Sequence, residues 1–522
     1  MVMDANHSLK YDRQLRLWAA NGQSALEKSR ICLINGSAVG SEALKNLVLP
    51  GIGSFVIIDN KFVLEEDTGV NFFVDVMSIG KPRASTIVQH LLELNDEVKG
   101  KAILEDPLEL IAKQPEFFKD FTVVIATDLS ATILLPLSKV LWVAGIPLFV
   151  AKSVGFMAYL RIAVPEITLV ETHPDSLVDL RLDSPWPELR QFADTLRLEE
   201  MNGQEHSHVP YIALLIKLVQ EWKNENNGNT PSTSAEKQEF KEFINSKKLT
   251  PDEENFDEAI NQARKACVKT EIPKHVKVLL NDPQAQNLTP NSSNFWILVR
   301  SLADFVAATG FLPLSGVLPD MKADSSRYVL LQNIYHQKAQ CDISQVKSYI
   351  HKHLTVLKES IDRIEDQEIE VFCKHAAYLK VIQYRSLEQE YTTPNTKRIA
   401  ELFEDGDNLI PQYVTLRAYD LFVEKNGHAP GKLIERIEQD TTELQEIAAD
   451  IMGQCGLAMT DLIQKHCAET TRAGGAELHN ISSFLGGLVA QEVIKVVTRQ
   501  YVTFNNTCIF DAIKSRTIVL EM

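Results

Sequence analysis

Arg30-Ile-Cys-Leu-Ile-Asn-Gly-Ser-Ala-Val-Gly40 runs five strand-length residues into a glycine-bearing turn, and residues Val39 to Val48 then continue with helical apolar spacing. An uninterrupted apolar run followed by a turn and a helix reads as a strand buried on both faces, because each face of its sheet is covered by helices. The pattern repeats outward from this point. Ser54-Phe-Val-Ile-Ile-Asp59 is a second strand. Pro82 to Leu94 reads as a helix with Ile87, His90, Leu91 and Leu94 on one stripe. Phe121 to Ala126 is a third strand, Ala131 to Val143 a helix, and Ile146 to Val150 a fourth strand. Strands alternating with helices give a parallel, doubly wound α/β sheet.

Beyond about residue 170 the strand signal fades. Tyr211–Trp222, Asn294–Thr309, Ser326–Ala339, Gln345–Ile361, Tyr413–Glu424 and Lys432–Met452 all have helical periodicity. Polar breaks separate them at Lys223 to Ala235, Glu404 to Asn408 and Asn426 to Pro430. The end of the chain returns to α/β character. Ile481 to Thr498 is a helix carrying Gly486-Gly487, and Tyr501–Phe504, Thr507–Phe510 and Thr517–Leu520 are strand-like. The expected organisation is a Rossmann-like domain over 1–170, a mainly α-helical insertion over 171–480, and a return to the first domain over 481–522, whose strands complete the N-terminal sheet.

Composition narrows the function. The 522 residues carry a formal net charge of −17. A nucleic-acid surface needs clustered Lys and Arg, so no nucleic-acid partner is expected. A basic patch on a folded partner suits this acidic surface better. The seven cysteines form no CxxC pair, which leaves no zinc or redox motif and fits a reducing compartment. The polar N-terminus, and the reading that no apolar run approaches the roughly 20 residues needed to cross a bilayer, give the expectation of a cytoplasmic and nuclear protein without a membrane partner.

The turn Asn35–Gly40 lies where a dinucleotide fold carries G-x-G-x-x-G, with glycines that let the backbone approach phosphates at a helix N-terminus. Only Gly36 and Gly40 remain, and Asp59 ends the second strand where a carboxylate binds a ribose hydroxyl. The residues leave two readings: a working nucleotide site, or a degenerate turn kept for helix–sheet packing, which the lost glycines favour. Before the first strand, Lys10-Tyr-Asp-Arg-Gln-Leu-Arg-Leu-Trp18 gives an amphipathic helix with Arg13 and Arg16 spaced i, i+3. Cys467, beside His466, is the one cysteine adjacent to a histidine, but it lies in a helical stretch without the setting of a nucleophile.

Taken together, Tyr11 to Trp18, the eroded turn, Asn46-Leu-Val-Leu-Pro-Gly-Ile-Gly-Ser54, Val70-Asn-Phe-Phe73, Ser78-Ile-Gly-Lys-Pro-Arg83, Leu94-Asn95 and Phe484 to Lys495 resemble the activating enzymes of ubiquitin-like proteins and their bacterial ThiF and MoeB relatives. Glu171 to Asp175, Asp179 to Leu182, His206 to Pro210 and Pro319 to Met321, with the long helical region, are similar to the regulatory branch that serves neddylation. The resemblance implies an adenylation-type fold whose insertion corresponds to a catalytic-cysteine domain without its cysteine. It also shows where catalytic motifs have been lost. The glycine positions fall on Asn35, Ser37 and Ala38. The second Asp of Asp-x-Asp becomes Lys61, and the later Asn and Arg fall on Asp67 and Val70. Asp128 keeps the place of the magnesium carboxylate, but Leu129 and Ile133 replace its Asn and Arg.

By resemblance, therefore, Gly36, Gly40, Asp59 and Asp128 are remnants of a nucleotide turn, and this chain binds no cofactor and no metal. ATP and Mg²⁺ belong to a catalytic partner subunit in an obligate heterodimer, which activates the neddylation modifier and passes it to a conjugating enzyme for cullin neddylation. Arg13 matches an arginine that reaches across the dimer to the partner's ATP phosphates. Val209, Pro210, Tyr211, Pro319, Asp320 and Met321 are candidate partner contacts. The rival readings are the corresponding sumoylation subunit, opposed by the chain's length; a self-sufficient nucleotide-binding oxidoreductase, opposed by the missing glycines; and a pure scaffold.

Overall fold

A computed structural model describes residues 5–174, 178–404 and 408–522; Asp175 of the motif Glu171–Asp175, and the centre of the break expected at Glu404–Asn408, lie outside the described residues. The chain divides into two units. The first joins Met1–Leu169 to Val381–Met522, and the second is Val170–Lys380. The insertion therefore ends about a hundred residues earlier than the periodicity suggested. Helices between 381 and 480 belong to the first unit, because their apolar stripes pack with strand residues such as Val154 and Ile509. A helical pattern alone cannot tell which core a helix covers.

The first unit is built on an eight-stranded sheet. Its strands are β1 (Arg30–Ile34), β2 (Ser54–Ile58), β3 (Lys99–Ile103), β4 (Val123–Thr127), β5 (Leu148–Val154), β6 (Met157–Ala163), β7 (Thr507–Asp511) and β8 (Arg516–Leu520), in the order β8-β7-β6-β5-β4-β1-β2-β3. The five from β3 to β5 are parallel, and β6, β7 and β8 add on as antiparallel neighbours. The strand order reverses direction between β1 and β4. Ligands of open α/β sheets bind at this switch point, outside the carboxyl ends of the strands. The C-terminal strands complete the sheet as expected, although Tyr501–Phe504 is not a strand. Two strands carry no clear sequence signal: β3 is a polar edge strand, and β6 follows β5 through a two-residue turn.

Helix α1 (Asp12–Lys28) is broken at Ala19, where φ is +55°. Helix α2 (Ala38–Val48) follows β1, α3 (Arg83–Leu92) precedes β3, and α4 (Ala131–Ala144) follows β4. Helix α5 (His479–Thr498) packs on α2 through Gly486, where an added Cβ would meet Glu42 Cβ at 2.6 Å. This 20-residue helix is apolar and long enough to cross a membrane, which corrects the sequence reading that no run approaches that length. Here Ile481, Leu485, Val489 and Val493 are buried in the core of the sheet, and the helix also carries Glu492 and Lys495.

The second unit is helical, with a core formed by residues such as Leu189, Ile212, Leu215, Phe240, Phe256 and Tyr335. The two helices expected over Ser326–Ile361 form one 33-residue helix, Ser325–Leu357, because no glycine or proline interrupts it.

Candidate functional site

The turn after β1 sits at the switch point, and its backbone has the form of a phosphate cradle. Asn35 takes φ +68°, the left-handed conformation that Asn tolerates best after Gly. It can thus stand in for the first glycine. Ser37 caps α2, accepting from Gly40 N at 3.2 Å. The glycines serve packing. A Cβ on Gly40 would meet Leu33 Cδ1 at 2.8 Å, and one on Gly36 would meet Ile87 Cδ1 at 2.9 Å.

The first amides of α2, which would face a phosphate, already have an anion. Ala38 N donates to Glu477 Oε2 at 2.9 Å and Val39 N donates to Glu477 Oε1 at 3.2 Å. A carboxylate at a helix N-terminus satisfies its free N–H groups and matches its positive end. Glu477 arrives on the loop before α5, after Gly474 and Gly475 at φ +62° and +78°. Burial, followed by the charge of Asp128, pushes the Glu477 carboxyl up to about 7, against the pull of the two amides.

The ribose carboxylate is also engaged. Asp59 Oδ2 accepts from Gly36 N at 3.0 Å and from Arg83 Nε at 2.8 Å, while Oδ1 accepts from Lys61 N at 2.9 Å. Arg83 Nη2 donates to Asn35 Oδ1 at 2.5 Å, and Nη1 lies 3.4 Å from Asp67 Oδ1. Asn35 Nδ2 in turn donates to Thr127 O at 2.8 Å on β4. Burial opposes the charge on Arg83, but Asp59, Asp67 and Glu477 more than offset it and hold the guanidinium above its ordinary value. Asp59 and Arg83 are both buried. Arg83 is thus part of an internal ion-pair network.

Asp128 follows β4 with φ +47° and an exposed side chain. On the neighbouring strand β5, Lys152 pairs with Asp420 and lies 5.1 Å from the centre of the Tyr419 ring. Among the described residues, no group of three or more His, Cys, Asp or Glu side chains is arranged to hold a metal. These residues do not fit a bound nucleotide: the amides that would meet phosphates hold Glu477, and the carboxylate that would meet ribose holds Arg83.

Arg13 contrasts with this closure. It is exposed on α1, and among the described residues it has neither a hydrogen-bond nor an ion-pair partner; Arg16 on the same helix pairs with Asp12 at 3.1 Å. The contact candidates divide. Val209, Pro210 and Tyr211 are buried, Val209 and Tyr211 in the second unit's core. Asp320 is exposed between half-buried Pro319 and Met321. Cys467 is buried, and burial pushes its thiol up to about 12, which removes it as a nucleophile. The sequence reading missed Glu477. It lies some 440 positions from the turn it closes, and neither its type nor its spacing marks it.

This geometry defines a Rossmann-like domain whose cradle is filled by its own side chains. The ThiF family pattern matches residues 11–522. A NEDD8-activating enzyme E1 regulatory subunit from Xenopus laevis is 44% identical over 527 residues, covering 98% of each chain. Proteins of the same description from Gallus gallus (40% identical, 100% of each chain) and, as the AXL form, from Arabidopsis thaliana (39%, covering 99% of this chain and 100% of that one) are similarly matched. The chain belongs to the ThiF family, in the branch of the NEDD8-activating enzyme E1 regulatory subunits.

Proposed function

We propose that this chain is the non-catalytic half of a heterodimer that activates the neddylation modifier, with ATP, Mg²⁺ and the thioester cysteine on its catalytic partner. The observation that carries this reading is Glu477 on the α2 amides, together with Arg83 on Asp59. A chain that satisfies its own phosphate and ribose groups internally has none left for a substrate nucleotide. The reading extends to Arg13 as a donor to the partner's ATP phosphates. A planar guanidinium suits charge developing on pyrophosphate, and exposure without an internal partner is what such a role requires. It extends also to Asp320 and its neighbours as a minor contact, to handover of the modifier to a conjugating enzyme, and to a cytoplasmic and nuclear location.

The test is thioester formation on the modifier with ATP, using this chain alone, the catalytic subunit alone, and the two mixed. Activity only in the mixture, with the thioester on the other subunit, is the expected result. Adenylate or thioester formed by this chain alone overturns the reading.

A further inference from the structure

Around the helices Glu254–Cys267 and Lys274–Leu280 of the second unit, the charge of the chain reverses. The whole chain carries −17, yet the stretch from Arg264 to Lys277 sets Arg264, Lys265, Lys269, Lys274 and Lys277 against the single acid Glu271. All six are exposed. Among the described residues none of these side chains has an ion-pair or hydrogen-bond partner. The negative end of the helix Glu254–Cys267 accounts for Arg264 and Lys265, but not for Lys269, which lies beyond it.

These cations edge a cleft. One lobe, of about 310 Å³, is lined by Arg264, Lys265, Val268 and Lys269. A second, of about 260 Å³, is lined by Ile272, Pro273, Phe311, Lys374 and Tyr378. Val178, Asp179 and Thr270 line both, so the lobes are continuous. Half-buried Ile272, Pro273, Phe311 and Tyr378 give the second lobe an apolar floor. The walls are tied together. Thr270 N and Oγ1 donate to Asp183 at 2.8 and 2.6 Å. Arg181 Nε donates to Asp179 Oδ2 at 3.2 Å, and its guanidinium lies 4.8 Å from the centre of the Phe311 ring. His275 Nε2 lies 3.1 Å from Ala377 O. Asp179 and Asp183 are therefore engaged internally. Arg264, Lys265, Lys269 and Lys374 remain, with Glu271 the one lining carboxylate without a partner among the described residues.

We propose that this cleft takes an acidic peptide segment bearing one apolar anchor residue. The anchor enters the lobe floored by Ile272, Phe311 and Tyr378, and flanking Asp or Glu side chains meet Arg264, Lys265 and Lys269. An apolar centre gives such a contact its affinity, and opposite charge at the rim gives it register and on-rate. A nucleic-acid strand needs cations that track its backbone and open rings for its bases. Here the cations gather at one lobe, and the Phe311 ring already carries Arg181. An anionic bilayer attracts basic segments, but a flat surface leaves the concave apolar lobe unfilled and brings the rest of the −17 chain against like charge. The proposal stands independently of the heterodimer reading.

The test is fluorescence anisotropy of the full chain with a labelled Asp/Glu-rich peptide carrying one Phe. The parent should bind it, and Lys265→Glu/Lys269→Glu should weaken binding about tenfold. Replacing the peptide's Phe by Ser should also cost about tenfold. Lys28→Glu/Lys99→Glu reverses two exposed cations of the first unit and changes the net charge equally, so it should bind as the parent does. Melting temperatures should be unchanged, since all four side chains are exposed. No binding by the parent, or an equal loss in the Lys28/Lys99 variant, overturns the proposal. So does tighter binding of oligothymidylate or of phosphatidylserine vesicles that the Lys265/Lys269 variant abolishes, which assigns the cations to a nucleic acid or a membrane instead.

Discussion

Two arginines in the first unit show opposite uses of one side chain. Arg83 is buried at the switch point and shared among Asp59, Asn35 and Asp67. Arg13 stands on a terminal helix with no internal partner among the described residues. A guanidinium offers five donors in a rigid fork. When the fold engages them, as at Nε, Nη1 and Nη2 of Arg83, the residue contributes structure. When it uses none, they remain for another molecule. The turn after β1 is thus held by internal contacts, while α1 carries a cation that has no internal partner among the described residues.

The comparison breaks most sharply at Arg83. Arg83→Met removes the cation from Asp59 and leaves a buried carboxylate and Asn35 Oδ1 short of donors. Removing one partner of a buried ion pair costs about 3–5 kcal/mol, and chemical denaturation of the first unit should show a loss of that size. If Arg83→Met costs less than about 1 kcal/mol, the network is incidental and Asp59 is free for a ligand.

Arg13→Ala should do the reverse: no change in melting temperature or in complex formation, but about a 100-fold fall in ATP–pyrophosphate exchange by the heterodimer, roughly 2.7 kcal/mol. Unchanged exchange would leave this chain a pure scaffold. Arg13→Lys keeps the charge but loses the planar fork, and an intermediate rate would show that geometry matters as well as charge.

How far the sequence reveals these roles differs between the two regions. The central strands β1, β2, β4 and β5 were legible because strands buried on both faces are apolar throughout. Strand β3 was not, because an edge strand with Lys99 and Lys101 has no apolar pattern to read. Lost glycines and the Asp59–Lys61 change gave the expectation of an eroded turn. They could not reveal what closes it, since the pairing of Glu477 with Ala38 and Val39 is set by tertiary packing.

Glu477 sharpens the comparison through pH. Its folded pKa of about 7 lies above the ordinary glutamate value of 4.5. A carboxyl whose pKa is raised on folding favours the folded state most below its unfolded pKa, and that advantage is lost as pH rises through the folded pKa. Gln does not titrate. Relative to the parent, Glu477→Gln should therefore gain stability between pH 5 and pH 8, on the order of 2 kcal/mol. A pH-independent difference would mean that the carboxyl keeps its ordinary pKa.

The smallest effect separates the two causes of that shift. Burial is the larger and Asp128 the next. Asp128 is exposed, so water and salt screen its charge. Asp128→Asn should lower the Glu477 pKa and stabilise the folded state above pH 7 by less than about 1 kcal/mol, with no effect below pH 5. At 1 M salt, where the Debye length falls to about 3 Å, this gain should vanish. The larger effect of Glu477→Gln should persist, because salt does not restore the hydration that burial removes. If both effects vanish together, Glu477 is held by surface charge alone, and the closure of the turn is electrostatic and reversible instead of being built into the packing.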